Sequence, residues 1–240
     1  MFIKFAILGL LLLTACTPPT TPVDTKSQAL VLVQQGKMQT LTADALSRYY
    51  PMTPGLQWTY ALEQFQDDQD NTRFKTMTIT AEAETAPTSI ILRRTYPDST
   101  VQPRPSLARR LTDRVLLSHY EGSLMGGFDT FKKSPAPTTG FITALQAPLT
   151  IGQSWPGRAF KGGTETLSVA AAETLYLPAG KFETLRIEHH LRYDNGREDV
   201  LRYWYAPEVG LVKMYEEISF YNNRWIKFKS IGVLQRFQKP

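Results

Sequence analysis

The stretch that decides the fold is residues 164–205, TETLSVAAAETLYLPAGKFETLRIEHHLRYDNGREDVLRYWY. It contains three runs with strand patterning, Thr164–Leu177, Phe182–Tyr193 and Glu198–Tyr205. Alternation of apolar and polar residues with period two predicts strands that bury one face. Asp194-Asn195-Gly196 separates the last two runs. Because Asn-Gly tolerates positive φ at both turn positions, this segment predicts a β-hairpin.

Strand patterning continues on both sides of this stretch. Further strands are predicted at Gln57–Phe65, Arg73–Glu84, Ser89–Tyr96, Ala108–His119, Val209–Phe220 and Trp225–Phe237. The run at 108–119 is compatible with a helix as well, and the strand is favoured. Polar turns are predicted at 67–71 and 222–223, and loops at 97–105 and 122–140.

The clearest helical pattern lies in the N-terminal part of the chain. Residues 42–50 predict one short helix, with Thr42 as the N-cap and Pro51 ending it. Residues 28–39 fit a short helix or a strand equally well. The predicted fold class is therefore mainly β, either a curved antiparallel sheet or two packed sheets, with a short N-terminal helix.

A sequence pattern occurs twice, 97 residues apart. Pro51–Trp58 and Pro148–Trp155 share Pro, an apolar residue, Thr, any residue, Gly, any two residues and Trp. Each copy predicts a turn with Gly at positive φ that delivers a Trp into the core. Two readings stay open: a pseudo-duplicated fold with half-repeats at about 48–140 and 145–240, or recurrence of a common strand-entry turn.

Three phrases carry a resemblance to a known family. They are Pro148–Trp155, Leu177–Ile187 and Tyr203–Lys213. The chain resembles a widespread family of bacterial exported lipoproteins with the phrases P-L-x-x-G-x-x-W, V-P-A-G-x-F-x-T and W-Y-A-P-G-V-G-L-V-K, known only as a domain of unknown function. The resemblance covers about residues 48–220 and departs from the phrases at Leu177 for Val and Glu208 for Gly. It implies a curved antiparallel sheet and no catalytic residues.

The first residues, MFIKFAILGLLLLTAC, predict a signal peptide at 1–15. Lys4 supplies a positive charge, and the apolar run Phe5–Leu13 is shorter than the roughly 20 residues of a spanning helix. Leu13-Thr14-Ala15-Cys16 matches the bacterial lipobox. That resemblance implies diacylglycerol on the Cys16 thiol, cleavage before Cys16, and an acyl chain such as palmitate on the new amino group.

The segment after the lipobox has the composition of a tether. Residues 16–27 include Pro18, Pro19 and Pro22 among threonines, which is typical of a linker that holds a domain off a surface. Residues 28–240 are then expected to form a single β-rich domain. Because Cys16 is the only cysteine, it has no partner for an internal disulfide. Residue 17 is Thr rather than Asp, which in proteobacterial lipoproteins favours the outer membrane facing the periplasm.

The charge pattern argues against a nucleic-acid partner. The formal net charge is +5, but the basic residues are scattered in pairs such as Arg93-Arg94, Arg109-Arg110 and Lys132-Lys133. A nucleic-acid interface would concentrate them on one face with stacking aromatics. The expected partners are the membrane, through the N-terminal lipid, and an envelope protein or an amphiphilic ligand.

No arrangement of residues predicts a catalytic or metal site. His189 and His190 are adjacent in a strand and point to opposite faces, whereas Glu188 and His190 share a face and would need His119 to complete a site. Asp68-x-Asp70 lacks the Gly and terminal Glu of a calcium loop and predicts a solvated turn. Neither a nucleophile elbow nor a phosphate-binding loop is present in the sequence. No enzyme activity, cofactor or metal is expected, and Cys16 is the only site residue, as the lipid attachment point.

The sequence therefore predicts a membrane-anchored envelope lipoprotein whose domain is a non-catalytic binding or structural module. An alternative is a carrier or chaperone for a lipid or another amphiphile, for which the aromatic content of 11% is the only support. A weaker alternative is a glycan hydrolase, which would require convergent carboxylates in a pocket.

Overall fold

The computed structural model describes residues 43–70, 72, 75–84, 86, 88–97, 105–118, 141–160, 162–221 and 225–240. The expected signal peptide, Cys16, the tether, the ambiguous segment 28–39, His119 and the predicted loop at 122–140 lie outside the described residues. Among the residues that are described, no helix is long and apolar enough to cross a membrane.

The described part of the chain contains one short helix, α1, and the strands β1 to β13. Their bounds are α1 Ala43–Tyr49, β1 Gln57–Gln66, β2 Gln69–Asp70, β3 Thr76–Ala83, β4 Ser89–Thr95, β5 Ser106–Arg110, β6 Arg114–Ser118, β7 Phe141–Gln146, β8 Ser154–Phe160, β9 Gly163–Leu177, β10 Gly180–Tyr193, β11 Glu198–Ala206, β12 Gly210–Tyr221 and β13 Trp225–Gln238. The helix predicted at 42–50 is confirmed over residues 43–49, and its predicted N-cap Thr42 lies outside the described residues.

All of these strands belong to one antiparallel sheet. Its order is β7-β6-β5-β4-β3-β1-β13-β12-β11-β10-β9-β8, and β2 pairs only with β1. The sheet is curved and nearly closes on itself, because its two terminal strands β7 and β8 approach each other. At this seam the indole Nε1 of Trp155 donates a hydrogen bond to the carbonyl oxygen of Thr143 at 3.2 Å. A mainly β fold with a curved antiparallel sheet is confirmed, and of the two predicted architectures the single sheet is the one observed.

The core lies on the concave face of this sheet, and period-two alternation places it there. In β1 the buried positions are Trp58, Tyr60, Leu62 and Gln64, and the residues between them are half-buried or exposed. The same alternation runs through β3, β6 and β13. Strand register therefore decides which side chains face the interior and which face solvent.

The recurring turn has the same geometry in both copies. Gly55 and Gly152 have φ values of +90° and +91°, and the two tryptophans that follow, Trp58 and Trp155, are buried. The Gly55 amide donates to the carbonyl of Ala81 in β3, and the Gly152 amide donates to that of Val169 in β9, both at 2.8 Å. The predicted turn that delivers a Trp into the core is confirmed twice. The duplication of the two halves remains a prediction.

The β10–β11 hairpin is confirmed, but its predicted turn geometry is wrong. Gly196 has a φ of +82°, whereas Asn195 is not at positive φ. The Tyr193 amide donates to the Arg197 carbonyl at 2.9 Å, and the Arg197 amide donates to the side chain of Asn195 at 3.1 Å. The turn is therefore a three-residue loop with one left-handed glycine, a common hairpin closure that needs positive φ only once.

The single strand predicted at Ala108–His119 is also wrong. β5 ends at Arg110 and β6 begins at Arg114, so the segment is a hairpin with a tight turn at 111–113. The Leu111 amide donates to the Arg114 carbonyl at 2.8 Å. Thr112 and Asp113 are turn-forming residues that interrupt the apolar alternation, and they provide the physical reason for the break. β7 and β8 were not predicted as separate strands.

The family phrase that ends at Lys213 contains a left-handed residue. Glu208 has a φ of +63° in the turn between β11 and β12, at the position where the phrase carries glycine. Its amide donates to the Arg48 carbonyl at 2.7 Å, and its carboxylate accepts a hydrogen bond from Arg48 Nε at 2.8 Å. These contacts to α1 hold a conformation that glycine adopts without cost. The departure from the phrase is therefore accommodated by the fold.

Candidate functional site

A small cleft lies on the concave side of the sheet, beside the end of α1. Its cavity volume is about 50 Å³. Its lining comes from the end of α1 and from β1, β3, β4, β6, β11 and β12, so strands from distant parts of the sheet order meet there. The lining residues are Tyr50, Pro51, Trp58, Tyr60, Ile79, Leu92, Arg94, Leu117, Tyr205, Gly210 and Leu211.

Two aromatic walls of the cleft are fixed by backbone carbonyls that follow β11. Trp58 Nε1 donates to the carbonyl of Val209 at 2.6 Å, and the Tyr60 hydroxyl donates to that of Leu211 at 2.7 Å. Tyr60 is 1% exposed, so its hydroxyl needs such a partner inside the domain. The walls are therefore rigid, and their own polar groups are satisfied within the protein.

Three phenol groups cluster at the cleft and remain uncharged near neutral pH. Burial raises the pKa of Tyr60, and the neighbouring Tyr205 and Tyr50 raise it further. Burial likewise raises the pKa values of Tyr205 and Tyr50, while the positive charge of Arg94 partly offsets the rise for Tyr50. The rings of Tyr50 and Tyr205 lie 6.3 Å apart. The cleft thus presents neutral aromatic surface.

Among the described residues, Arg94 is the only charged one that lines the cleft. The side chain comes from β4, and the residue is 8% exposed. Its Nη2 donates to the hydroxyl of Ser106 at 3.1 Å, while its buried Nε has no hydrogen-bond partner. Within the part of the chain that the structure describes, no carboxylate forms an ion pair with Arg94. A buried cation that forms no ion pair with the described residues is therefore the distinctive electrostatic feature of the site.

The neighbouring residue Arg93 shows the ordinary arrangement for comparison. It lies on the outer face of β4, and its Nε and Nη2 donate to the two carboxylate oxygens of Glu82 at 2.6 and 2.9 Å. This ion pair is exposed to solvent. Two consecutive arginines thus have opposite environments because the strand places them on opposite faces.

The volume of the cleft limits what it can hold in this conformation. A cavity of about 50 Å³ accommodates a few water molecules or one small polar group. It is far smaller than the roughly 300–1,000 Å³ of pockets that enclose drug-sized ligands. The arrangement therefore suits the recognition of one small group at the end of a larger ligand.

The adjacent histidines occupy opposite faces, as predicted. His189 is buried, and its Nδ1 donates to Glu165 Oε1 at 2.9 Å. His190 is on the outer face, where its ring contacts Glu198 at 2.8 Å and Glu188 at 3.5 Å. The predicted proximity of Glu188 and His190 is confirmed. Among the described residues, no group of three or more metal-ligating side chains converges.

The solvated turn predicted at Asp68-x-Asp70 is also confirmed. Asp67 and Asp68 have φ values of 50° and 63° in a turn, and Asp70 is exposed and accepts a hydrogen bond from the Thr72 amide at 2.9 Å. The paired carboxylates of β12 alternate across the strand. Glu216 is buried and accepts from the Tyr203 hydroxyl at 2.5 Å, whereas Glu217 lies closer to the surface.

Arg94 was missed as a site residue by sequence reasoning, which treated Arg93-Arg94 as a scattered basic pair. The signal that could have found it is the alternation in β4, SIILRRT. If Ile90 and Leu92 face the core, then Arg94 must share their face. Cys16, the one predicted site residue, lies outside the described residues, so its lipidation remains a prediction.

Comparison with known proteins adds structural neighbours. No family model matches the chain and no curated protein matches its sequence, so the family resemblance noted in the sequence remains a prediction. A proposed lipoprotein from Parabacteroides distasonis shares 16% identity over 80% of this chain and 98% of its own, with a TM-score of 0.47. A proposed exported protein with YmcC-like fold from Bacteroides fragilis shares 17% identity over 80% of this chain and 99% of its own, with a TM-score of 0.49.

A third neighbour comes from Escherichia coli. The hypothetical lipoprotein YmcC shares 12% identity over 93% of this chain and 98% of its own, with a TM-score of 0.33. All three neighbours are described as lipoproteins or exported proteins. At these identities, and with TM-scores below 0.5, the similarity does not assign a family or a function to this chain.

Proposed function

We propose that this chain is an envelope lipoprotein, anchored through Cys16, whose curved-sheet domain binds a ligand without catalysing a reaction. The anchor is supported by the lipobox Leu13–Cys16 and by the Pro/Thr tether that follows it. The binding role is supported by the cleft beside α1. The single observation that carries it is Arg94, a buried cation on the lining of that cleft that pairs with no carboxylate of the described residues.

The composition of the lining favours binding over catalysis. The cleft is lined by aromatic and aliphatic side chains, by glycine and proline, and by Arg94. Nucleophilic and general acid–base catalysis near neutral pH rely on hydroxyl, thiol, imidazole or carboxylate groups that can exchange a proton. The phenols of the lining have raised pKa values and are poor bases at that pH. The lining of the cleft can therefore recognise a chemical group by its shape and charge.

A carrier for an amphiphile is the second candidate, and the apolar lining of the same cleft favours it. Trp58, Ile79, Leu92 and Leu117 offer surface to a hydrocarbon group. The volume of about 50 Å³ admits one end of an amphiphile and leaves the remainder at the mouth. A glycan hydrolase is less well supported, because two convergent carboxylates would have to face a pocket. The described residues that line the cleft include no carboxylate.

The proposed location is the periplasmic face of the outer membrane, because Thr17 rather than Asp follows Cys16. A binding module at that site would contact an envelope protein or a small ligand. Chemical crosslinking in intact cells followed by purification of the membrane-anchored chain tests this role. Recovery of one envelope component in stoichiometric amount supports it, and a folded, anchored chain that recovers none contradicts it.

Replacing Cys16 by Ser is expected to release the protein from membranes. The thioether cannot form on a serine, and without acyl chains the apolar contribution of about 0.8 kcal/mol for each buried methylene is lost. Membrane fractionation and metabolic labelling with radioactive palmitate check the result. We expect most of the wild-type chain in the membrane fraction with label, and most of the variant in the soluble fraction without it.

The matched control for this experiment is Thr17→Ser, which changes the neighbouring residue and keeps the lipobox. It should remain labelled and bound to membranes. A Cys16→Ser chain that stays bound would show that another segment holds the protein there, and it would overturn the proposed anchor.

A further inference from the structure

We infer that Arg94 is the recognition site for a monoanionic carboxylate carried on an apolar group, which inserts its acidic end into the cleft. The inference rests on the proposed binding function and specifies the chemistry of the ligand. The structure holds the buried guanidinium, the neutral aromatic walls and the small volume that together select such a ligand. Each of these features limits the ligand in a different way.

The charge of the site calls for an anion. Burial of an unpaired cation is unfavourable, and buried charges in proteins are normally paired with an opposite charge. Arg94 donates to a neutral hydroxyl, that of Ser106, and its Nε is buried without an acceptor. Guanidinium groups match carboxylate oxygens in a two-point geometry. An incoming carboxylate would satisfy the free donor and neutralise the charge.

The charge balance favours a monoanion over a dianion. Arg94 is the one cation among the described residues that line the cleft, and the three tyrosines beside it are uncharged at neutral pH. A carboxylate brings one negative charge, which Arg94 compensates in full. A phosphate monoester would bring nearly two charges and leave one of them against apolar walls.

The apolar side chains that line the cleft favour a ligand whose carboxylate is attached to an apolar group. Trp58, Ile79, Leu92 and Leu117 line the cleft, and each apolar contact gains free energy by removing surface from water. The small volume places only the acidic end and the first methylenes inside. A short-chain fatty acid is the simplest molecule with this chemistry, and hexanoate serves as a water-soluble probe.

The test is calorimetric titration of the full lipidated chain in phosphatidylcholine nanodiscs with hexanoate, hexanamide and hexyl phosphate. Empty nanodiscs provide the blank for partition into lipid. We expect hexanoate to bind about tenfold or more tightly than hexanamide, the gain expected for a hydrogen bond to a charged group. Hexyl phosphate should bind more weakly than hexanoate. Equal binding of acid and amide, or tighter binding of the phosphate, would overturn the inference.

Substitutions locate the preference on one side chain. Arg94→Met should reduce the ratio of hexanoate to hexanamide affinity to about one, and Arg94→Lys should retain part of it because a cation remains. Arg93→Met is the matched control, since the same change on the outer face should leave the ratio as in the wild type. Circular dichroism verifies that each variant is folded.

The outcomes separate this inference from the proposed function. Equal, saturable binding of acid and amide leaves the cleft a binding site and removes the role of Arg94. Persistence of the acid preference in a folded Arg94→Met variant overturns the inference in the same way. Absence of any binding overturns the inference, and the crosslinking experiment then decides the binding function by itself.

Discussion

Replacing Trp155 by Ala is expected to destabilise the domain by about 3–5 kcal/mol, the range measured for truncation of large buried aromatic side chains. Trp155 is 2% exposed and is among the largest fully buried side chains of the described residues. Since domains unfold with free energies of about 5–15 kcal/mol, this loss removes a large part of the total.

Truncation of Trp155 is expected to lower the free energy of unfolding by more than its buried surface area alone implies, because of where it lies in the sheet. It lies on β8, the terminal strand that pairs only with β9, and its indole donates to the Thr143 carbonyl on β7, the opposite end of the sheet. The side chain therefore bridges the seam where the sheet nearly closes. Truncation to Ala removes the packing and this bond together, and leaves a half-buried carbonyl without its indole donor.

Two further variants separate these contributions. Trp155→Phe keeps most of the ring and removes the donor, so it should cost about 1–3 kcal/mol. Trp225→Ala makes the same truncation at a residue that is 52% exposed, and its stacking over Arg197 contributes about 0.5–1 kcal/mol. Urea denaturation followed by far-ultraviolet circular dichroism measures all three. A loss at Trp155 no larger than the loss at Trp225 would contradict the bridging role.

Local patterns predicted the strands well, because alternation and turn chemistry act over a few residues. The long strands β9 to β13 agree with the sequence to within about three residues, and the turn before Trp58 has the predicted left-handed glycine. The break between β5 and β6 was missed because it is short. Only Thr112 and Asp113 interrupt an otherwise continuous strand pattern. β7 and β8 are short strands at the seam and carry too few residues for a periodic signal.

The curvature of the sheet and the location of the cleft could not be read from sequence. They depend on pairing between β1 and β13, which are separated by most of the chain, and on the contact between the terminal strands. The cleft forms where Tyr50, Leu117 and Tyr205 meet, and no local pattern relates these positions. Arg94 could have been assigned to the inner face by alternation. That no carboxylate of the described residues pairs with Arg94 is visible only once the strands are assembled into the complete sheet.

The buried charged residues on the inner face of the domain differ in whether they have a partner within the protein. Glu165 and His189 are paired with each other, and Glu216 accepts the hydroxyl of Tyr203, so these acids have partners within the protein. Arg94 is not paired with an acid in the described part of the chain. Because buried charges in proteins are normally paired with an opposite charge, this contrast supports the proposed role of Arg94 in binding a ligand.

Replacing Glu165 is the second substitution with a large expected effect on stability. His189 and Arg158 both contact its carboxylate. Its side chain is 1% exposed, its Oε1 accepts from His189 Nδ1 at 2.9 Å, and its Oε2 accepts from the Arg158 amide at 3.2 Å. The Arg158 guanidinium lies 3.4 Å from the same oxygen. Glu165→Ala removes one partner of a buried pair, which is expected to cost about 3–5 kcal/mol.

The same carboxylate makes part of the stability dependent on pH. Burial raises the pKa of Glu165, but the hydrogen bond and charge of His189, with the charge and amide of Arg158, lower it by more, so the net pKa lies below the ordinary 4.5. The folded state therefore binds this proton less readily than the unfolded state. The resulting stabilisation is complete above pH 4.5 and is lost as the pH falls through the lowered folded value.

Comparison of the wild type with Glu165→Gln isolates this contribution. Glutamine has nearly the same shape and does not titrate, so the difference in unfolding free energy between the two chains should shrink as the pH falls below 4.5. Other carboxylates with lowered pKa values, such as Asp113 and Glu217, are present in both chains and cancel. Urea denaturation at a series of pH values measures the difference.

Glu82→Gln is the matched control, because Glu82 forms an ion pair with Arg93 on the exposed outer face. Ion pairs on an exposed surface contribute little to stability because water screens them, so this variant should be close to the wild type near neutral pH. A Glu165→Gln variant as stable as Glu82→Gln would show that water or a rearranged Arg158 replaces the carboxylate. The buried pair would then not be a stabilising element, and the paired acids of the interior would no longer contrast with Arg94.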